Sequence, residues 1–237
     1  FMPVGTQGSV KGIAPRELRE AGAEIILSNT YHLFVRPGMD IIKKAGGLHC
    51  FMGWDGPILT DSGGYQVFSL ARLRKITRDG ATFNSHFDGS LITLTPEKVI
   101  AIQEILGSDI AMIFDECLPY PSAPEKISQS INLTIEWSAR ALAARKKKGQ
   151  ALFGIIQGGT HSDLRRESLE KTIALPFEGY AIGGLSVGEP NEIMYHIVSD
   201  IAPRMPVDKP RYLMGVGLPL DILEAVSCGV DMFDCVI

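Results

Sequence analysis

The chain has 237 residues, of which 45% are hydrophobic and 21% are charged. This length buries one large core and is too short for two, so we expect a single domain over residues 1–237. Every apolar stretch is broken by charge or glycine well short of the roughly 20 residues of a membrane helix, which excludes a membrane protein of that type. The four cysteines lack the spacing of a zinc site or a disulfide framework, so we expect a reducing cytoplasm and no metal in this chain.

The net charge of −4 excludes a uniformly basic surface, so any contact with nucleic acid must be a local patch. Two basic clusters are candidates. One is a loop-like stretch with Arg72, Arg74, Lys75 and Arg78, and the other is residues 145–148. The second cluster is also typical of a helix C-terminus, whose dipole favours cations.

Short apolar, β-branched runs predict eight strands in chain order. They cover residues 1–4, 24–27, 57–60, 110–114, 152–156, 180–182, 211–214 and 232–236. Helical segments lie between them, and Thr95, Pro96 and Gly107 provide the cap, first residue and stop of one helix. The apolar faces predicted for three helices are Val99, Ile102, Ile105 and Leu106; Ile127, Ile131, Ile135 and Leu142; and Ile222, Leu223 and Val226 after Pro219.

Strands that alternate with helices indicate parallel strands joined by crossover helices. Eight such units predict an α/β fold of the TIM type, a (β/α)8 barrel, with a doubly wound open sheet as the alternative. Two insertions depart from a minimal barrel: a strand-like stretch at residues 80–94 and a proline-rich loop at residues 118–124.

Polar residues or glycines follow six consecutive predicted strands. These are Asp61-Ser62-Gly63-Gly64-Tyr65-Gln66, Asp115-Glu116-Cys117, Gln157-Gly158-Gly159, Gly183-Gly184-Leu185, Gly215-Val216-Gly217 and Asp234 within the last strand. An aspartate after a strand often only caps the next helix, and a Gly-Gly pair is often only a turn. Because all six coincide at the end of a barrel that carries active sites, we expect a functional mouth there.

The residue types at this mouth predict chemistry on a glycosidic bond. Asp61 and Asp234 are suited to divide such a reaction, one attacking the anomeric carbon and the other moving a proton. Asp115 and Gln157 are suited to read a purine edge by accepting from and donating to it. Bare backbone at Gly183 and Gly184 would approach a flat ligand, and Tyr65 and Met214 would sandwich it.

These motifs, together with Gly183-Gly184-Leu185-Ser186-Val187-Gly188-Glu189 and Tyr212-Leu213-Met214-Gly215-Val216-Gly217, resemble those of bacterial-type tRNA-guanine transglycosylases, in the same order and over the whole chain. The resemblance implies that Asp234 is the nucleophile displacing guanine from the wobble ribose, and that Asp61 is the general acid/base. It implies base binding by Ser62, Gly63, Gly64, Tyr65, Asp115, Cys117, Gln157, Gly183, Gly184, Leu185, Val187, Glu189, Met214 and Gly215. It also implies RNA contacts by Gly215, Val216, Gly217, Leu218, Pro219, Leu220 and Asp221.

The resemblance further implies the partners. They are a tRNA with a wobble guanine in a GUN anticodon, whose nucleotide must be flipped out of its stack, and a free 7-deazaguanine base. Val187 stands where relatives that accept the bulkier queuine typically have glycine, so we expect the smaller 7-aminomethyl-7-deazaguanine, in queuosine biosynthesis. Full-length relatives continue past the nucleophile into a zinc subdomain and form homodimers. We therefore expect this chain to be a fragment beginning inside a domain, without the zinc ligands.

Two other functions remain open on the residues alone. The paired carboxylates would also suit a retaining hydrolase acting on a nucleoside or glycoside. A non-catalytic base-binding or partner subunit of the same family is the second alternative, although the presence of both Asp61 and Asp234 argues against it.

Overall fold

The computed structural model of the chain describes residues 1–70 and 74–236. Its strands in chain order are β1 (Ile26–Ser28), β2 (Ile58–Thr60), β3 (Arg74–Thr77), β4 (Gly80–Asn84), β5 (Leu91–Leu94), β6 (Ile110–Met112), β7 (Ala151–Ile156), β8 (Gly179–Ile182), β9 (Arg211–Leu213) and β10 (Met232–Phe233). Seven of them form one parallel sheet in the order β1-β2-β6-β7-β8-β9-β10. This order follows the chain without a reversal, so the doubly wound alternative is wrong.

Residues 2–4 connect the two edges of this sheet. Met2 forms a parallel bridge with Asp234, beyond the end of β10, and Val4 forms one with Leu27 of β1. The amide of Met2 donates to the carbonyl of Phe233 at 2.7 Å, and the amide of Leu27 donates to the carbonyl of Pro3 at 3.0 Å. The first predicted strand is thus present as two isolated bridges, and the curled sheet has the topology of the predicted barrel.

Helices connect the parallel strands and pack outside the sheet. They are α1 (Pro15–Glu20), α2 (Thr30–Val35), α3 (Met39–Lys44), α4 (Leu48–Met52), α5 (Gly64–Leu70), α6 (Pro96–Leu106), α7 (Pro124–Ala144), α8 (Ser162–Ile173), α9 (Asn191–Ile201) and α10 (Pro219–Ser227), with a 3₁₀ turn at Ala202–Arg204. None of the helices in the described ranges is long and apolar enough to cross a membrane.

The residues predicted to begin and end α6 are confirmed. The side chain of Thr95 accepts a hydrogen bond from the amide of Lys98, Pro96 is the first helical residue, and Gly107 ends the helix in the left-handed conformation with φ 73°. Three residues assigned to apolar helix faces are instead exposed: Ile105, Leu223 and Val226. Val99, Ile102 and Leu106 of α6 are buried as predicted. Ile100 of α6 and Ala225 of α10 are also buried, because each lies on the side of its helix that packs on the core.

The predicted insertion at residues 80–94 is part of a separate antiparallel sheet, β3-β4-β5. β3 extends this sheet back to Arg74, so the loop-like description of the first basic cluster is wrong for Arg74–Thr77; Arg72 lies outside the described residues. The second cluster follows the end of α7, where Arg145 pairs with Glu178 at 2.8 Å. That arginine is therefore engaged in packing the barrel.

Candidate active site at the strand ends

The residues expected to carry chemistry all follow the carboxyl ends of parallel strands. Asp61 comes directly after β2, Gln157 after β7, and Asp234 after β10. Asp115 lies three residues beyond β6, and Met214 directly follows β9. Because neighbouring strands run in the same direction, these residues gather at one end of the barrel.

Asp61 is buried and both of its carboxylate oxygens accept hydrogen bonds. The Thr30 amide donates to Oδ1 at 2.7 Å, and the Asn29 side chain donates to Oδ2 at 2.7 Å. Burial raises the pKa of Asp61 to about 6, although bonds from Asn29, Thr30 and Gln66 oppose the shift. The charge of Asp234 adds to the rise, which means that the two carboxylates interact across the mouth.

Asp234 is held differently. The Tyr212 hydroxyl donates to its Oδ1 at 2.5 Å, and the Gly215 amide donates to the same oxygen at 2.7 Å. Burial raises the pKa of Asp234, and these two donors oppose the rise. Among the described residues, every hydrogen bond to this carboxylate goes to Oδ1, which leaves Oδ2 for an incoming group.

Asp115 and Gln157 form a buried pair. The Gln157 amide nitrogen donates to Oδ2 of Asp115 at 2.6 Å, and the Ser62 hydroxyl donates to Oδ1 at 3.3 Å. Burial raises the pKa of Asp115 to about 6. A carboxylate acceptor and an amide thus stand side by side, the combination needed to read the amine and carbonyl of a purine.

The segment after β8 approaches this pair with its backbone. Gly184 has φ +63°, and a Cβ there would lie 2.2 Å from Oε1 of Gln157, so only glycine fits. Ser186 also has a positive φ, 57°. The Glu189 carboxylate accepts hydrogen bonds from the amides of Ser186 and, at 3.0 Å, Val187. Because these amides are bound to Glu189, the Leu185–Ser186 peptide has a fixed orientation.

A small pocket of about 20 Å³ adjoins Gln157 of this pair. It lies between the proline-rich loop, through Leu118, Pro119 and Tyr120, and the ends of β7 and β8. Gln157 and Val187 line it, whereas Asp61 and Asp234 do not. The pocket therefore lies on the side of Gln157 away from Asp61 and Asp234.

The other residues predicted for the site vary in exposure. Ser62, Gly63, Gly64, Cys117, Gly183 and Leu185 are buried; Met214 is half-buried; and Tyr65 and Gly215 are exposed. In the segment predicted to touch RNA, Leu218, Pro219 and Leu220 are exposed, Gly217 is half-buried and Val216 is buried. Asp221 is also buried, and its carboxylate accepts hydrogen bonds from Tyr195 at 2.5 Å and Asn191 at 3.4 Å.

Several supporting residues were not predicted from the sequence. Asn29 and Tyr212 donate to the carboxylates of Asp61 and Asp234, and Arg165 and Ser168 of α8 bind the ends of β7 and β8. The sequence contained a signal for Asn29, because this polar residue directly follows β1 just as Asp61 directly follows β2. The sequence contained no such signal for Arg165, because an arginine in a largely polar helix is expected on the surface.

Within residues 1–70 and 74–236, no group of three or more histidine, cysteine, aspartate or glutamate residues is arranged to hold a metal ion. None of the four cysteines forms a disulfide among the described residues.

Comparison with known proteins identifies relatives along the whole chain. The family model described as queuine tRNA-ribosyltransferase matches residues 1–237. The queuine tRNA-ribosyltransferase of Caldanaerobacter subterraneus subsp. tengcongensis is 62% identical over 238 residues, and that of Thermodesulfovibrio yellowstonii is 60% identical over 239 residues. Each match covers 100% of this chain but only 64% and 62% of the two relatives, so the chain spans less than two thirds of their length. The chain belongs to the queuine tRNA-ribosyltransferase family.

Proposed function

We propose that residues 1–237 form the catalytic barrel domain of a tRNA-guanine transglycosylase. Acting in queuosine biosynthesis, the full-length protein would exchange guanine at the tRNA wobble position for 7-aminomethyl-7-deazaguanine. The observation that carries the proposal is the placement of two carboxylates, Asp61 and Asp234, at the same end of the barrel as the hydrogen-bonded pair of Asp115 and Gln157. Family membership supports the same reaction.

The free oxygen of Asp234 supports its role as nucleophile. Oδ2 would attack C1′ of the wobble ribose, forming a covalent ester as the bond from C1′ to N9 of guanine breaks. Tyr212 and Gly215 both donate to Oδ1, so they orient the carboxylate without covering the attacking oxygen. Guanine leaves with the bonding electrons and needs a proton.

The pKa of Asp61, about 6, supports its role as the proton carrier. A carboxyl that titrates near neutral pH can donate to departing guanine and then accept a proton from the incoming base. The incoming base, deprotonated, would attack C1′ and release Asp234. The net reaction exchanges one base for another and consumes no cofactor.

Base recognition would fall to the opposite side of the mouth. Asp115 would accept from the ring N–H and exocyclic amine, Gln157 and the Gly184 amide would bind the base carbonyl, and Tyr65 and Met214 would stack on its faces. The Leu185 carbonyl would accept from the substituent on the deaza ring. The glutamate that holds the Leu185–Ser186 peptide supports this last contact.

The proposed preference for 7-aminomethyl-7-deazaguanine rests on Val187. Val187 lines the pocket that would receive a substituent, and its side chain takes volume that glycine would leave open. Base exchange with queuine and with the aminomethyl base tests this preference. Efficient use of queuine without use of the aminomethyl base would contradict it, whereas V187G should improve queuine use by roughly tenfold or more.

The partner would be a tRNA with a GUN anticodon, its wobble nucleotide flipped into the mouth at a cost of about a few kcal/mol. The exposed residues Leu218 to Leu220 and the exposed Gly215 backbone support an RNA contact beside Asp234. We expect Asp221 to support this segment through Tyr195 and not to touch RNA itself. We also propose that the full-length protein is a cytoplasmic homodimer, with a structural zinc held outside these residues.

The decisive experiment measures incorporation of labelled guanine into a tRNA carrying a wobble guanine, using the full-length protein and its D234A variant. Denaturing gels of reactions without free base would detect the protein–RNA adduct. We expect incorporation and an adduct with the wild type, and neither with D234A, while D208N at an exposed aspartate serves as control. Guanine release without exchange would indicate a hydrolase, and a folded wild type without activity would indicate a binding or partner subunit.

A further inference from the structure

Arg165 is a fully buried cation on the inner face of α8. Its guanidinium makes no ion pair among the described residues, and burial lowers its pKa to about 10, so it stays charged at neutral pH. Burying a cation without a paired carboxylate has a large free-energy cost, which is tolerated only where hydrogen bonds compensate for the lost water. Four carbonyl oxygens provide that compensation.

Those carbonyls belong to the ends of two neighbouring strands. Nε donates to Gly159 at 2.7 Å, and Nη1 donates to Ile156 at 2.9 Å, both around Gln157 at the end of β7. Nη1 also donates to Gly183 at 2.7 Å, and Nη2 donates to Gly184 at 3.1 Å, both after β8. One planar group therefore joins the two backbone segments proposed to read the base.

The joining occurs where the strands cease to bind each other. The last residues paired between β7 and β8 are Ile156 and Ile182, and the Gly183 amide still donates to the Ile156 carbonyl at 3.1 Å. Beyond this point the hydrogen bonds between the two strands end, and the hydrogen bonds of Arg165 connect the two segments instead. Ser168, one turn further along α8, accepts from the backbone amide of Gln157 at 3.1 Å, so the same helix face holds Gln157 and the residues on both sides of it.

The fit around Arg165 is tight. A Cβ on Gly158 would lie 2.8 Å from the Arg165 amide, so the loop after β7 touches the first turns of α8. The charge of Arg165 also interacts favourably with Glu189, whose carboxylate fixes the Ser186 and Val187 amides. A helix behind the barrel wall thus controls both the Gln157 side and the Leu185 side of the proposed base site.

We propose that Arg165, assisted by Ser168, is a positioning residue for base recognition, which fixes the Gln157 and Gly184 segments at the distance that a 7-deazaguanine requires. The inference rests on the proposed function. Arg165 touches neither base nor RNA in this arrangement. Loss of the Arg165 guanidinium should therefore weaken base binding and reduce the discrimination between bases, while Asp234 stays in place.

The test compares R165K with R166K in the full-length protein. Lysine keeps the charge but cannot reach four carbonyls in one plane, whereas Arg166 is an exposed neighbour paired with Asp200 at 2.8 Å. For R165K we expect the KM for 7-aminomethyl-7-deazaguanine to rise about tenfold or more, with a much smaller change in the KM for tRNA. The ratio of the KM values for guanine and the aminomethyl base should move towards one. R166K should match the wild type.

A merely structural role would lower the amount of active enzyme, and hence kcat, without changing the ratio of KM values. Unchanged base KM values in R165K would overturn the proposal. S168A, a milder change on the same face, covers the case in which R165K does not fold: it should raise the base KM a few-fold, and an unchanged value would also overturn the proposal. Absence of base exchange in the wild type would instead refute the proposed function, and calorimetric binding of the aminomethyl base would then test the positioning role alone.

Discussion

Asp61 at the end of β2 and Asp234 at the end of β10 each accept a short hydrogen bond from a backbone amide and another from a side chain. The donors to Asp61 occupy both oxygens, whereas both donors to Asp234 converge on Oδ1. Full occupation suits a group that exchanges protons while staying in place, and a free oxygen suits one that must form a bond. The two ends of the mouth therefore differ in which atom they expose, although both use the same residue type.

Removing the ionisable group of Asp61 should have the largest effect. D61N keeps the size of the side chain but cannot accept the proton of the incoming base, so we expect base exchange to slow by about 10²- to 10⁴-fold. In the wild type, the rate at saturating base should fall on either side of about pH 6, because Asp61 must be protonated to release guanine and ionised to accept the proton of the incoming base. D61N should lose this dependence.

The pH profile of labelled-guanine exchange measures both effects, and the D208N variant controls for the loss of one negative charge. A D61N enzyme that retained full activity together with the optimum near pH 6 would assign the proton transfer to another group. Asp115 is the obvious substitute, since its pKa is also about 6.

The same carboxylate should lower the stability of the protein at neutral pH. Its pKa rises from 3.8 to about 6 on folding, so ionisation disfavours the folded state. This penalty is absent below the unfolded pKa and complete above the folded pKa, where it amounts to about 3 kcal/mol. The free energy of unfolding of D61N relative to the wild type should therefore rise as the pH increases from 4.5 to 7.5.

Urea denaturation at the two pH values gives this difference, and D208N should show almost none of it. A difference between D61N and wild type that stays constant with pH would mean that Asp61 titrates alike in the folded and unfolded chains.

On the β10 side, Y212F removes one of the two donors to Oδ1 of Asp234. Because a hydrogen bond to a charged group contributes about 1.5–3 kcal/mol, we expect kcat to fall by about 10- to 100-fold with little change in the KM for free base. Adduct formation on denaturing gels should slow to the same extent. Y180F is a suitable control, since the Tyr180 hydroxyl donates to the Leu175 carbonyl away from the mouth. A raised base KM with normal kcat would place Tyr212 in base binding.

Much of this frame could be predicted from the sequence. The order of apolar runs and turn residues predicts the sheet because each strand is a local pattern, and the Thr95–Gly107 helix shows that caps are local too. The edges were less accurate: the run predicted at 232–236 forms a strand only at Met232–Phe233. Beyond Phe233 the pairing in the described part of the chain continues only as the single bridge between Asp234 and Met2, which joins the two edges of the sheet and is a tertiary effect.

The support behind the site could not be predicted. Arg165 lies in a helix whose other residues are largely polar, and only the packed structure reveals that it faces four carbonyls and not water. The exposure of Leu223 and Val226 is a similar case. Helical periodicity identifies the apolar face of a helix, but it does not show whether another part of the chain packs on that face.

The smallest effect should come from the substitution of Asn29, which separates its contribution to the pKa of Asp61 from that of the Thr30 amide. Its amide bond to Oδ2 favours the charged carboxylate, so N29A should raise the pKa of Asp61 above its present value of about 6. The pH optimum of base exchange should then shift upwards, with a loss of about three- to tenfold at pH 5 and no loss at pH 8.5. N132A, on the exposed side of α7, should leave the profile unchanged. A uniform loss at every pH would show that Asn29 acts on substrate or folding, and that its hydrogen bond does not set the charge of Asp61.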